Sequence, residues 1–565
     1  MNSQKSLITL CLYLFIIGNS QAQDRILEDY NLRQTFLEEI ENKEYTKAED
    51  RIRKLIGHYS NDGELSFTTG QLYYHLKKWD SAIYYFKKAN WVGYNIAESN
   101  YNLACCYALE NNLEEAYNWL QNAINQQPSF YYAWMDDADL QILKRSTYFL
   151  GKLYHYNRQA TDRNSKWQAD IDFFNDRMQQ FHYSIFQHIS KKEWNDRIVL
   201  LKSKIDSLKD FELIVELMKI TALVGDGHTV VVPPLNGVNV FHRAPFLTYF
   251  FDDGLYITEA FKSYNRLLGT KILTINNIPI NEVMNKVKTV IPHDNQVGEK
   301  WLLPLALTIP EILEALNITQ NKLEYTIEVE REGKNELHKI SCNQQITGDF
   351  LESWLYGYYS DKDWIKVEQN ETPSYLTRLD EPYWFEYLNE NKLVVFHYNQ
   401  VQTNPEENET QFIQRLTNFI NVNEVKALVI DLRSNEGGDN TIYRPILNGI
   451  IANKKINQNG KLFVMIGRRT FSAGMCFATD LEKSTNAIFV GEPTGSSPNF
   501  VGESGGVFQL PYSGIYVNAS NLYWQNSYAF DNRKFITPKV LIPLRFKDYR
   551  KGEDLSLETI KLMSK

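Results

Sequence analysis

The chain has 565 residues, several times the length of an ordinary domain, so about two to four domains with separate cores are expected. Its formal net charge of -9 is mild and no lysine-arginine block occurs, which excludes a nucleic-acid-binding surface. The 35 Tyr, 30 Phe and 11 Trp exclude a largely disordered chain.

The first residues, MNSQKSLITLCLYLFIIGNSQAQD, carry Lys5, an apolar stretch from Leu7 to about Gly18, and small residues at Ser20 and Ala22. This pattern predicts a cleaved signal peptide over 1–22 and an exported protein, periplasmic or extracellular. The apolar stretch is short for a bilayer, and no other run reaches about 18 apolar residues, so no stable membrane span is expected. Besides Cys11, the cysteines are Cys105, Cys106, Cys342 and Cys476, scattered with no paired CxxC, and no histidines have HExxH spacing. Neither a disulfide framework nor a metal site is expected, and no cofactor is called for.

Behind the leader, Tyr45, Trp79 and Leu113 align at a period of about 34 residues. Ala48, Ala82 and Ala116 follow the same period, as do Ile52, Phe86 and Leu120. Small residues at one column let paired helices approach, and large apolar residues at another fill the interface with the next hairpin. The segment AESNYNLACCYALENNLEEAYNWLQNAINQQP, closed by Pro128, resembles a tetratricopeptide repeat. An all-α solenoid is expected over 28–150, as a surface for a protein partner.

Residues 165–225 carry apolar residues at helical spacing and predict two or three amphipathic helices. The stretch GDGHTVVVPP then opens β-rich sequence. Over 240–345, FLTYFF, GLYITEAF and LEYTIEVERE alternate as strands do, and Asn276-Asn277 marks a turn. Here GTKILTINNIPINEV resembles the strand and following helix of a PDZ domain, a module that takes up an extended peptide and suits recognition of a chain terminus.

From 375 to 560, KLVVFHYN, KALVIDLR, KLFVMIG and AIFVGE are short apolar runs separated by helical segments. Strand alternating with helix predicts βαβ units around a buried, largely parallel sheet. The segments DLRSNEGG and RRTFSAG fall beyond the carboxyl ends of such strands, where binding and catalytic groups gather.

A serine hydroxyl needs a base and an oxyanion site before it attacks a carbonyl. Ser472 stands where a strand gives way to a helix, a place where serine is ordinarily an N-cap. No glycine-x-serine-x-glycine elbow surrounds it. The glycine turn Gly437-Gly438 and the N–H of Ala473 are candidate oxyanion donors, and His228 in GDGHT is the candidate base.

Together, GDGHT, GTKILTINNIPINEV, VIDLRSNEGG, RRTFSAG and AIFVGEPTG resemble, in this order, the tail-specific or C-terminal processing serine peptidases, over roughly 165–560. The resemblance implies a serine-type endopeptidase acting on a peptide or protein, with an acyl-enzyme on Ser472. A lysine-base branch carries its lysine directly after PTG, where this chain has Ser496, and no lysine occurs between Lys483 and Lys534. The tricorn-like branch takes a histidine from the DGHT segment, which His228 matches, although Gly227 replaces the serine that precedes it there. The family position of the third residue implies Asp531, with Glu492 and Glu503 as alternatives, while Asp226 is expected to stabilise its own turn. Lys539 stands where the family has an aspartate, so a binding protein that keeps the fold without its chemistry, or a repeat scaffold, are the competing readings.

Overall fold

The computed structural model describes residues 27–57, 59, 61–127, 129–145, 159–235, 237, 239–356, 363–502 and 506–564. The expected signal peptide, Pro128 and Glu503 lie outside the described residues. The chain divides into two compact units, Met1–Tyr156 and Asn157–Lys565. No described helix is long and apolar enough to cross a membrane.

The first unit is helical. The helices Tyr45–Leu55, Trp79–Trp91 and Leu113–Gln126 begin at the three residues that the period aligns. Gly63–His75 and Ile96–Leu109 run between them. Ala48, Ala82 and Ala116 are fully buried, and so are Phe86 and Leu120, because a fixed period puts each column on the same helix face. Gly70 shows why small residues are needed there: a Cβ on it would lie 2.7 Å from the Phe86 ring.

The second unit opens with the helices Arg163–Phe181, Lys191–Ser203 and Asp210–Ala222. Asp162 and Ser190 cap the first two by accepting backbone N–H groups. A β-rich module follows, with antiparallel sheet order Trp364–Lys366, Gly254–Phe261, Lys271–Ile275, Glu324–Arg331, Lys334–Ser341. Asn276 and Asn277 make the expected turn, at φ 47° and 62°, as a two-residue hairpin requires. The sheet extends past residue 345 because Trp364–Lys366 returns to pair with Gly254–Phe261.

The last module is built on a six-stranded sheet. Tyr383–Leu388 pairs antiparallel with Leu393–Tyr398, and then Ala427–Asp431, Leu462–Ile466, Ile488–Gly491 and Val540–Leu541 follow in parallel. Successive side chains point to opposite faces, and both faces are covered. Val394, Phe396, Leu428, Ile430, Val464 and Ile466 pack with residues of the helices Glu409–Val422, Arg444–Ala452 and Ser472–Ser484. Leu393, Val395, Val429, Phe463 and Met465 pack under Leu557 and Ile560 of the final helix, Leu555–Met563. Burial on both sides is why these strands read as continuous apolar runs.

Candidate active site

Four loops leave the carboxyl ends of the parallel strands and meet around Ser472. The loop after Ile466 turns on Thr470, whose hydroxyl donates to Leu432 O at 2.8 Å and accepts from Gly467 N at 3.1 Å. Phe471 N then donates to Asn435 O at 3.0 Å, tying this loop to the glycine turn. The helix N-cap is Phe471, in extended conformation, so Ser472 is the first helical residue and not a cap. Ser472 has φ 49°, a left-handed conformation that costs a residue with a Cβ about 1–3 kcal/mol and that clusters at functional sites.

The glycine turn lies directly against this serine. A Cβ on Gly437 would sit 2.6 Å from Ser472 Cβ, 3.1 Å from its Oγ and 2.8 Å from Ala473 N. One on Gly438 would sit 2.2 Å from Val401 O. Both glycines have positive φ, 115° and 132°, so each answers a steric and a conformational demand. Asn435 shapes the turn: its Oδ1 accepts from Gly437 N at 3.0 Å and its Nδ2 donates to Tyr398 O at 2.8 Å. Gly437 therefore contributes space, its N–H being already donated. Among the described residues, no partner takes the N–H of Gly438 or Ala473, and Ala473 lies in the first turn of the Ser472–Ser484 helix, whose dipole favours negative charge.

His228 reaches the site on a short strand. Val230–Val231 pairs antiparallel with Tyr516–Asn518, and Asn518 Nδ2 donates to His228 O at 2.9 Å. The buried ring stacks between Phe471 at 4.4 Å and Phe500 at 5.3 Å between centroids. The imidazole thus lies against the residue that immediately precedes Ser472. Asp226 stabilises its own turn, as expected, accepting from His228 N at 2.9 Å and Thr229 N at 2.7 Å. The same carboxylate also takes the Ser520 hydroxyl at 2.7 Å and the ring of His182 at 2.8 Å. Burial alone would raise Asp226, but the partners led by His182 outweigh it and hold the carboxyl below its ordinary range.

Two of the carboxylates implied for the third position, Asp531 and Glu492, are engaged elsewhere. Asp531 accepts from Arg533 at 3.0 Å and from the Ser527 hydroxyl at 2.7 Å, and Arg533 holds it well below the usual carboxylate range. Glu492 pairs with Arg468 at 2.7 Å. The sequence reading passed over Asp294. Its Oδ1 accepts from Gly227 N at 2.7 Å and its Oδ2 meets the Ser496 hydroxyl. Asp294-Asn295 looks in sequence like an ordinary helix start, and Asn295 does cap Gln296–Ala306.

Next to the glycine turn, Glu436 is buried, with Oε1 accepting from Arg469 Nε at 2.6 Å. Burial pushes its carboxyl up to about 8, against the pull of Arg469. A cavity of about 710 Å³ borders Gly437 and Gly438 and is lined by Gln400, Thr403 and Asp439. Another, of about 540 Å³, lies between Tyr249 and Trp301 on one side and Ile466 to Arg469 on the other. The one described group with metal-ligand spacing, Cys105, Asp137 and Asp139, is in the other unit, where Tyr101 and Tyr74 donate to the carboxylates.

No family model matches the chain, and no curated protein matches it in sequence. Among solved structures, a crystal structure of a CPAF serine-to-alanine mutant aligns with TM-score 0.50 at 12% identity, covering 70% of this chain and 96% of that one. The two chains share a fold. Mature CPAF gives 0.49 at 14% identity, over 70% and 96% of the two chains. The photosystem II D1 C-terminal processing protease gives 0.32 at 12%, over 70% and 99%.

Proposed function

We propose that the chain is a serine-type endopeptidase that cleaves peptide bonds through an acyl-enzyme on Ser472. One observation carries the reading: Ser472 is held in a left-handed conformation at a helix N-terminus, against a glycine turn, beside two undonated N–H groups. His228 takes the Ser472 proton while Oγ bonds to the peptide carbonyl carbon. The carbonyl π pair moves onto oxygen, where Gly438 and Ala473 N–H groups and the helix dipole receive it. His228 then protonates the leaving amine as the C–N bond breaks, and water repeats the sequence to free the acid. Asp531 braces its own segment through Arg533 and Ser527 in this scheme. The fold shared with CPAF supports the reading at the level of fold.

On the same reading the front helices are tetratricopeptide hairpins that take a protein partner. The 240–345 module is PDZ-like and takes a substrate by its C-terminus, and residues 1–22 are a signal peptide that sends the mature protein out of the cytoplasm. The engagement of Asp531 by Arg533 favours one rival, a binding protein that keeps this fold without its chemistry. Covalent labelling by a fluorophosphonate separates the two. The peptidase reading expects labelling of the wild type that falls on the order of 10^6-fold in Ser472→Ala and in His228→Ala. Folded wild type that takes no label gives the decision to the binding protein.

A further inference from the structure

The ring faces of His228 are covered by Phe471 and Phe500, so whatever orients and charges it acts from the edge of the ring or through its backbone. Two carboxylates lie beside its segment. Asp226 is occupied on both oxygens, by two backbone N–H groups, a hydroxyl and the ring of His182. Asp294 takes one donor on each oxygen, Gly227 N–H and the Ser496 hydroxyl, and a carboxylate has room for about four. It is anchored closely: a Cβ on Gly227 would lie 3.3 Å from Asp294 Oδ1.

We propose that Asp294 is the positioning residue of His228, fixing the Gly227-His228 backbone and stabilising the imidazolium formed when His228 accepts the Ser472 proton. The proton stays on the imidazole throughout, and Asp294 neither gives nor receives one. The inference rests on the reading of His228 as base and supplies its missing acid. Desolvation pushes the Asp294 carboxyl up, and the neighbouring His228 opposes this. The other charged or titratable groups around are Asp226, His182, His188, Tyr523 and Lys534, which line with Asp294 a cavity of about 80 Å³.

The test is the titration of His228 followed by NMR of histidine-labelled full-length protein, in wild type, Asp294→Asn and Ser496→Ala. The expected result is a downward shift of the His228 midpoint by about one pH unit in Asp294→Asn, a tenfold loss of proton affinity. A smaller shift in the opposite direction, upward, is expected in Ser496→Ala, which frees the carboxylate from its hydroxyl and leaves more of its charge to the imidazolium. Where wild type takes fluorophosphonate, the pH midpoint of labelling should move in parallel. An unchanged His228 midpoint in folded Asp294→Asn overturns the proposal. If Asp294→Asn does not fold, an unchanged or lowered midpoint in Ser496→Ala overturns it and a raised one upholds it. A midpoint that depends on Asp294 in a protein that takes no label upholds the contact and sinks only the catalytic reading.

Discussion

At Ser472 the backbone conformation separates the competing roles of a serine before a helix. A capping serine is extended and its hydroxyl accepts from the helix, whereas Ser472 is left-handed and the cap position belongs to Phe471. The strain is sustained by Gly437, whose missing Cβ leaves the space that Ser472 fills. Gly437→Ala should therefore lower fluorophosphonate labelling by about 10^2-fold or more while the far-UV circular dichroism stays unchanged. Labelling within twofold of wild type would show the turn to be dispensable. Glu436 makes a second prediction, with its sign set by burial. Its folded carboxyl titrates near 8 against an ordinary 4.5, so between these values the folded chain holds a proton that the unfolded chain has lost. Its contribution to stability is full below about 4.5 and falls as pH rises to about 8. Denaturant midpoints measured from pH 5 to 9 should lose part of this downward slope in Glu436→Gln, and an identical slope would exclude Glu436 as its source.

Among the elements, the parallel strands were legible because burial on two faces leaves an unbroken apolar signature, and the front helices because their columns recur at a fixed spacing. The return of Trp364–Lys366 to the sheet, beyond residue 345, leaves no local signature, since it joins only through a pairing with residues about a hundred positions earlier. How the sheet is tied to the last helix was also invisible in sequence. Arg433, just past the strand Ala427–Asp431, bonds to Asp431 at 2.7 Å and to Asp554, the cap of Leu555–Met563, at 2.7 Å. Burial would raise Asp431, but Arg433 holds it far below the ordinary carboxylate range. Removing the cation strands two buried carboxylates. Arg433→Met should cost about 3–5 kcal/mol in unfolding free energy, read from urea titration, and a loss under about 1 kcal/mol would mean that the network relaxes without it.

For the whole molecule, each residue assigned to the chemistry lies in the unit Asn157–Lys565. A fragment of residues 157–565 should fold, and should take fluorophosphonate within about twofold of the full chain's rate; collapse of labelling in a folded fragment would make the repeats part of the active machinery. The helical period and the parallel strands were readable from the sequence, and Ser472, His228 and the glycine turn were readable as candidates, because each rests on a local pattern: a spacing, an apolar run, or a motif of a few residues. The carboxylate that meets the Gly227-His228 segment from a distant loop was not. The family position implies Asp531, whose carboxylate is held by Arg533, two residues away, whereas Asp294 meets Gly227 across 67 positions. Which carboxylate stands beside an imidazole is decided by how distant loops pack, and no local pattern records that.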